Sequence, residues 1–222
     1  MNGYSSRAND PLDIQYSTKT IDMENYQGVK FNHKQSNTSF SFDNRLERLN
    51  QWAYLFSQLG LAPVHAGGAY GNHSYRTAEE SFIISKAGMI PGEALDPENY
   101  CHVTAFEEST TTFIFDGEHP PSSECFLHNI LYQNHHETQS ILHGHCSLLN
   151  AHAKILNIET TTTFYDYGTE ALADSALELA LAGHSFFILK DHGFVALGNN
   201  IKSAGNLTLD YFGKLVTFLK NL

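Results

Sequence analysis

Two histidines separated by one glycine, His143-Gly144-His145, form the most chemically informative pattern in the chain, and the apolar residues Ile141 and Leu142 precede them. In an extended strand, side chains two positions apart point to the same face of the sheet. His143 and His145 would therefore present their imidazoles side by side. Neutral imidazole nitrogen is a good ligand for divalent transition metals, zinc above all. The pattern predicts part of a metal site, which needs further ligands from elsewhere in the chain.

Two more residues that could bind a metal lie at the boundaries of expected secondary-structure elements. Glu124 follows Pro121-Ser122-Ser123 at the expected start of a helix, and His192 lies in the corner Lys190-Asp191-His192-Gly193 between two expected strands. Functional side chains concentrate at such element ends. Three imidazoles and one carboxylate are a suitable ligand set for a catalytic divalent metal with an exchangeable position. We refer to Glu124, His143, His145 and His192 as the Glu/His cluster.

A glycine-rich stretch could bring polar groups close to a bound molecule. Three glycines lie within residues 67–71, and Asn72 and Ser74 follow them. Glycine lets the backbone turn sharply or approach a ligand closely, although such a stretch is more often only a turn. Asn72 and Ser74 could donate hydrogen bonds to an anion, and His73 and Arg76 are further candidates for contacts with a substrate.

Ser122 and Ser123 have two interpretations. Serine hydroxyls suit the N-cap position of a helix, and a helix N-terminus also offers free N–H groups and partial positive charge to a phosphate. The local pattern favours the cap, and the two interpretations are compatible.

The elements that must position these groups follow from hydrophobic spacing and from cap residues. The first helix, for example, begins near Asp43 or Asn44 and has apolar residues at helical intervals. The expected helices are residues 43–59, 121–134, 147–156, 170–182 and 203–222. The expected strands, besides the one with the two histidines, are residues 81–85, 101–106, 110–115, 186–189 and 194–197. Because helices and strands mix without strict alternation and hairpins occur, we predict an α/β layered domain with a largely antiparallel sheet.

The N-terminal part of the chain is polar and poorly patterned. We predict two regions, a polar N-terminal extension over residues 1–43 and a domain over residues 44–222. The alternation at residues 38–42 is compatible with an edge strand, but a partly ordered arm is the favoured interpretation.

Composition excludes several classes of function. The chain has 222 residues, with 13 Lys and Arg against 24 Asp and Glu, for a formal net charge of -11. A chain this acidic is repelled by a phosphate backbone, so nucleic acid is not an expected partner. We find no apolar run of membrane-spanning length and no signal-peptide pattern over residues 1–13. Three cysteines without a CxxC pair indicate a reduced, cytoplasmic compartment.

Five short motifs occur in an order that resembles the class II aldolase/adducin family, whose familiar members include fuculose-phosphate aldolase and ribulose-phosphate 4-epimerase. The motifs are Gly71-Asn72-His73-Ser74, Ser85-Lys86-Ala87-Gly88, Pro121-Ser122-Ser123-Glu124, His143-Gly144-His145 and Asp191-His192-Gly193. The resemblance covers roughly residues 45–222. It implies a three-layer α/β/α fold around a mainly antiparallel sheet, and a homotetramer with active sites between neighbouring subunits.

The same resemblance implies roles for individual residues. His143, His145 and His192 match the histidine ligands of the family's usual metal, zinc, although another divalent metal is compatible. Glu124 matches the acidic residue that ligates the metal at rest and acts as acid and base when substrate displaces it. The positions that hold the substrate phosphate correspond to Asn72, Gly88, Ser122 and Ser123.

The implied reaction is a zinc-dependent, aldolase-type cleavage of a small sugar phosphate or related hydroxy-ketone through a metal-stabilised enediolate. Epimerase-type members usually carry Asp where this chain has Glu124, so the glutamate favours lyase chemistry. Two alternatives use the same site, a methylthioribulose-phosphate dehydratase and a sugar-phosphate 4-epimerase. A third alternative is a non-catalytic, adducin-like binding domain, but such domains typically lack the metal ligands.

Three departures from the family pattern bear on the reaction. Ala87 stands where members commonly have Ser or Thr, which removes one phosphate-binding hydroxyl. Neither Tyr165 nor Tyr167 can be matched to the catalytic tyrosine of aldolase-type members. We also expect no counterpart of the C-terminal tail that closes the site in those members, because the last helix reaches Leu222.

Overall fold

The structure is a computed structural model that describes residues 29–65 and 67–222. The helices of this part are α1 (Asn44–Gln58), α2 (Cys125–Asn134), α3 (Ser147–His152), α4 (Glu170–Leu181) and α5 (Ile201–Lys220). Its first strands are β1 (Asn32–Asn37), β2 (Val64–His65), β3 (Gly68–Ala69), β4 (Gly71–Ala78), β5 (Ser81–Ser85) and β6 (Tyr100–Glu107). The remaining strands are β7 (Thr112–Asp116), β8 (Ser140–Gly144), β9 (Glu159–Thr160), β10 (Phe186–Ile188) and β11 (Phe194–Gly198).

Nine strands of the described residues form one sheet, in the order β1-β7-β6-β5-β4-β8-β11-β10-β9. The interior pairs are antiparallel, whereas the two edge pairs, β1 with β7 and β9 with β10, are parallel. Strand β8, which contains His143, lies in the middle of the sheet between β4 and β11. The central strands therefore position His143, and His145 follows one residue after the end of β8.

Helices cover both faces of the sheet. Helices α1, α3 and α5 enclose one hydrophobic core, which includes Leu46, Phe56 and Phe194. Helices α2 and α4 enclose the other core, which includes Phe113 and Leu131. The arrangement confirms the predicted three-layer α/β/α fold with a mainly antiparallel sheet.

The first predicted helix is confirmed in its bounds and its cap. The Asp43 carboxylate accepts a hydrogen bond from the Arg45 N–H at 2.9 Å and so satisfies a free donor at the start of α1. Helices α1 and α5 approach closely where Trp52 packs over Gly205. A Cβ atom on Gly205 would lie 2.4 Å from the indole ring, so only glycine fits at this crossing.

Several element boundaries differ from the predictions, and β4 was not predicted as a strand because its glycine-rich start was interpreted as a turn. A partly ordered arm was the favoured interpretation of this part of the chain, but residues 32–37 form the edge strand β1, whose side chains are all exposed. Hydrogen bonds to β7 and its neighbours hold it there, including one from Gln35 Nε2 to the Gly117 carbonyl at 2.6 Å. Helix α2 begins at Cys125, after the predicted residue 121, and α3 ends at His152, before the predicted residue 156.

The predicted polar extension lies largely outside the described residues, and the division of the chain at residue 43 stays a prediction. Phe31 nevertheless packs into the core beneath α2 and α4. Within residues 29–65 and 67–222, none of the helices combines the length and the apolar character that a membrane span requires.

His73 is a buried histidine whose charge state should affect stability. Its ring packs against Phe56, and within the described residues neither ring nitrogen has a hydrogen-bond partner. Burial, assisted by nearby His143, lowers the pKa of His73 to about 3, from an ordinary value of 6.5. Between these two values the unfolded chain binds more protons than the folded chain. The free energy of unfolding should therefore fall with decreasing pH, by up to about 1.4 kcal/mol per pH unit.

We expect His73→Leu to make this pH dependence shallower, because leucine has no proton to bind. Urea denaturation of both proteins with chelator present, at several pH values between 7 and 4, measures the two slopes. Equal slopes would contradict the expected role of His73.

Candidate metal centre

The structure brings the four side chains of the Glu/His cluster together, and ligand-type atoms of all four lie within 4.8 Å of one another. His143 lies near the end of β8, and His145 follows one residue after the strand. His192 lies in the corner that connects β10 to β11, which pairs with β8. Glu124 precedes the first residue of α2. Elements that are distant in sequence thus supply one compact group.

The donor atoms of the Glu/His cluster point at one another. His143 Nε2 lies 3.1 Å from Glu124 Oε2 and 3.0 Å from His145 Nε2, and His192 Nε2 lies 2.7 Å from Glu124 Oε1. The Nδ1–H of His143 donates to the Phe194 carbonyl at 2.7 Å, which leaves the lone pair on Nε2 in the neutral ring. A positive charge between this nitrogen and the carboxylate, either a proton or a metal ion, makes the contact favourable. Three imidazoles and one carboxylate fit a divalent metal.

The protonation states also fit metal binding. Burial opposes ionisation of Glu124, but His143 and His192 together hold the pKa of that carboxyl well below its usual value. For His145, burial and then the neighbouring His192 and His143 hold the pKa well below its usual value. At neutral pH the carboxylate is therefore charged and the His145 imidazole is neutral, as metal ligation requires.

Two glycines allow the histidines to converge. A Cβ atom on Gly193 would lie 2.6 Å from the Gly144 carbonyl oxygen and 2.9 Å from ring atoms of His143 and His145. A Cβ atom on Gly144 would lie 2.5 Å from the Leu61 carbonyl oxygen. Side chains at either position would therefore push the strand and the corner apart.

The Glu/His cluster borders a cleft that also contains the predicted substrate-contacting residues. The lining includes Asn72, Gly88, Ser122, Ser123, Glu124, His145 and His192. Asn72 Nδ2 donates to Glu124 Oε2 at 2.6 Å, so this amide contacts the acid itself. The Ser122 hydroxyl accepts the N–H of Glu124 at 3.3 Å, which is a cap-like contact at the cleft wall. Both interpretations of Ser122 therefore remain compatible.

Several other cleft residues were not predicted as site residues from the sequence. Lys86 is the one lysine or arginine among the described residues that line the cleft, and Tyr70 and Tyr167 also line it. The Tyr70 ring stacks between His65, at 3.8 Å between centroids, and His145, at 5.5 Å. The signal for Lys86 was its position two residues before Gly88, within one of the motifs.

His128 is a further residue that sequence reasoning missed. It is buried in α2, and its Nε2 lies 2.5 Å from Asn72 Oδ1. A spacing of four residues places His128 on the same side of the helix as Glu124. That spacing was the available signal.

His73 and Arg76, considered as substrate contacts, do not line the cleft. Alternation along β4 sends Asn72 and Ser74 towards α2 and sends His73 towards α1. The Arg76 guanidinium donates to the backbone carbonyls of Tyr132 at 2.6 Å and Thr138 at 3.0 Å. Both side chains therefore have structural roles.

The sequence of the chain is similar to the sequences of known proteins. The sequence model of one protein family, the class II aldolase and adducin N-terminal domain, matches residues 48–211 of the chain. The chain is 25% identical over 183 residues to 3-oxo-tetronate 4-phosphate decarboxylase of Escherichia coli, which covers 72% of this chain and 79% of the relative. It is 29% identical over 153 residues to 5-deoxy-D-ribulose 1-phosphate aldolase of Bacillus thuringiensis serovar kurstaki, which covers 62% of this chain and 68% of the relative.

The fold is similar to solved structures as well. An L-fuculose 1-phosphate aldolase superposes with a TM-score of 0.64 and 21% identity, over 82% of this chain and 88% of the aldolase. At this identity the likeness concerns the fold alone.

Proposed function

The chain belongs to the class II aldolase and adducin family, and from this membership we propose that it is a metal-dependent carbon–carbon lyase. The substrate class is a small sugar phosphate or related hydroxy-ketone, and the reaction is retro-aldol cleavage. The observation that carries the proposal is the convergence of a carboxylate and three imidazoles at the wall of a cleft.

Zinc is the proposed metal, held by the Glu/His cluster. Three histidine ligands and one exchangeable position are typical of catalytic zinc, and Glu124 would occupy the exchangeable position until substrate replaces it. A divalent metal bound there would act as a Lewis acid that stabilises the negative charge developing on a substrate oxygen.

Glu124 is the proposed proton carrier. In a retro-aldol cleavage, the substrate hydroxyl loses its proton and becomes an aldehyde carbonyl as the carbon–carbon bond breaks. The electron pair of that bond passes to the ketone-derived fragment, which then takes a proton on carbon. Glu124 is ionised at neutral pH and faces the cleft. Once substrate replaces it among the metal ligands, its basicity rises, and it can accept the first proton and return it in the second step.

Lys86 supports an anionic substrate. The protein carries a formal net charge of -11, yet this cleft contains a lysine beside Gly88, Ser122 and Ser123. The positive charge of Lys86 would also compensate for the phosphate-binding hydroxyl that Ala87 does not provide. We propose that Lys86 binds the phosphate or carboxylate end of the substrate.

We expect Lys86→Met to raise KM by about 10- to 100-fold with a small change in kcat, because a hydrogen bond to a charged group contributes about 1.5–3 kcal/mol. Lys34→Met, in the exposed edge strand, is the matched control. Steady-state kinetics with the best substrate measure both effects. A fall in kcat at unchanged KM would contradict the role in binding.

A retro-aldol screen tests the proposed function. Zinc-loaded protein is incubated with short ketose 1-phosphates and their unphosphorylated analogues, and the aldehyde product is trapped and identified by mass spectrometry. We expect one aldehyde and one three-carbon ketone fragment per turnover, and neither product after chelation. Elimination of water or epimerisation without net cleavage would instead identify a dehydratase or an epimerase.

A decarboxylase is the second candidate, because a relative 25% identical over 79% of its length is a 3-oxo-tetronate 4-phosphate decarboxylase. Loss of carbon dioxide from a 3-oxo acid also leaves an electron pair on carbon beside a carbonyl, and that carbon then takes a proton. The same screen with phosphorylated 3-oxo acids distinguishes the two reactions. Release of carbon dioxide without an aldehyde would favour the decarboxylase.

We also propose a homotetramer with active sites at subunit interfaces, on the ground of family membership. Light scattering during size-exclusion chromatography measures the mass of the assembly. A monomer at micromolar concentration would contradict this part of the proposal.

A further inference from the structure

A line of buried polar side chains leads from Glu124 away from the cleft, between the sheet and α2. Asn72 Nδ2 lies 2.6 Å from Glu124 Oε2, and Asn72 Oδ1 lies 2.5 Å from His128 Nε2. His128 Nδ1 lies 2.6 Å from the Ser74 hydroxyl, which lies 2.7 Å from the Tyr132 hydroxyl. All five residues are buried, and neither His128, Ser74 nor Tyr132 lines the cleft.

The direction of the first hydrogen bonds in this line follows from the carboxylate. An ionised carboxylate only accepts hydrogen bonds, so Asn72 must turn its NH₂ group towards Glu124. The Asn72 oxygen then faces His128 Nε2, which must carry a proton. Burial, with a smaller effect of His143, lowers the pKa of His128 to about 3, so the ring is neutral at neutral pH. A neutral ring protonated on Nε2 accepts at Nδ1.

The rest of the line completes the same pattern. Ser74 must donate its hydroxyl proton to His128 Nδ1, and its oxygen then accepts from the Tyr132 hydroxyl. Burial raises the pKa of Tyr132, so the phenol stays protonated and able to donate, and its oxygen receives a backbone hydrogen bond from Ile141. Each hydrogen bond from the Ile141 N–H to the carboxylate thus has one donor and one acceptor.

We propose that His128, held by Ser74 and Tyr132, is a positioning residue that fixes the orientation of the Asn72 amide and thereby holds the Glu124 carboxylate for proton transfer. An unsupported amide could rotate by 180° and present its oxygen to the carboxylate, which would repel it. The proposal rests on the proposed lyase function for its kinetic consequence. The orientation itself is independent of that function.

Matched substitutions of His128 separate positioning from packing. In His128→Gln, the side-chain nitrogen can replace the Nε2 donor, whereas His128→Leu keeps a comparable volume without a donor. We expect His128→Leu to lower kcat about 10- to 100-fold, as removal of supporting residues around a metal site does. We expect His128→Gln to restore most of this loss, with KM and bound metal unchanged in both. Equal kcat values in the two variants would overturn the proposal.

Nitrogen-15 NMR of histidine-labelled wild-type protein tests the orientation without any substrate. The His128 resonances, assigned by their loss in His128→Gln, should show a neutral ring protonated on Nε2. A proton on Nδ1 would overturn the proposal even if His128→Leu failed to fold. If the NMR result holds and no substrate is cleaved, the lyase function fails and the positioning network stands. If cleavage occurs and the NMR result is the opposite, the network fails and the function stands.

Discussion

Glu124→Gln is expected to lower kcat by about 10²- to 10⁴-fold, the usual contribution of a general acid–base residue. Glutamine keeps the shape of the side chain and an oxygen for the Asn72 amide, but it cannot accept and return a proton. KM should change little, because Lys86 and the serines of the cleft remain. Steady-state kinetics with the substrate found in the screen give both values.

The substitution is informative only if the metal remains bound. The three histidines of the Glu/His cluster are unchanged in Glu124→Gln, so we expect metal content close to that of the wild type. Glu137→Gln, which changes an exposed glutamate outside the cleft, is the matched control and should be fully active. A Glu124→Gln enzyme within about tenfold of wild-type kcat would mean that another group moves the proton.

His145→Ala is expected to weaken metal binding by more than about 100-fold, which exceeds the usual effect of losing a supporting residue around a metal. His145 is the partly exposed ligand of the Glu/His cluster, so its truncation should disturb the core less than truncation of buried His143. Competition with a chromophoric chelator measures the affinity, and activity should be lost in parallel.

His136→Ala is the matched control for this substitution. His136 is an exposed histidine just beyond the end of α2 and does not line the cleft. The metal affinity of the His136→Ala protein should equal that of the wild type. Undiminished metal binding by His145→Ala would exclude this histidine from the ligand set.

Local chemistry explains which parts of the fold were predictable. The bounds of α1 follow from an N-cap aspartate and from apolar residues at helical spacing, and both signals lie within the helix. Strand β5 is a short apolar run, and the structure has it at the predicted residues 81–85. Strand β1 was not predicted, because its sequence is polar and its position depends on backbone hydrogen bonds with distant β7. Such pairing outweighs the weak preference of any single residue.

The candidate site was likewise predictable from local sequence only in part. The spacing of His143 and His145 put both on one strand face, but their distance from Glu124 and His192 depends on the order of strands in the sheet. Only the family resemblance linked the four residues before the structure did. The stretch that contains His73 was interpreted as a glycine-rich turn, whereas the structure places it in β4. Alternation along that strand makes His73 face away from Asn72, which excludes it as a substrate contact.

The role of Asn72 could not be predicted from sequence spacing. It was expected to hold a substrate phosphate, and in the structure its amide lies between Glu124 and His128. A contact between residues 52 and 56 positions apart in the chain requires the packing of α2 against β4. The substrate role of Asn72 stays a prediction, and its contacts with Glu124 and His128 support the positioning role that we propose.

Anomalous X-ray scattering at the zinc absorption edge, from crystals of zinc-loaded protein, tests the central proposal most directly. We expect one strong peak per chain, surrounded by the side chains of the Glu/His cluster, and no such peak in crystals of His145→Ala. Absence of a peak at the cluster in crystals of protein that still cleaves its substrate would contradict a catalytic metal held by these four residues.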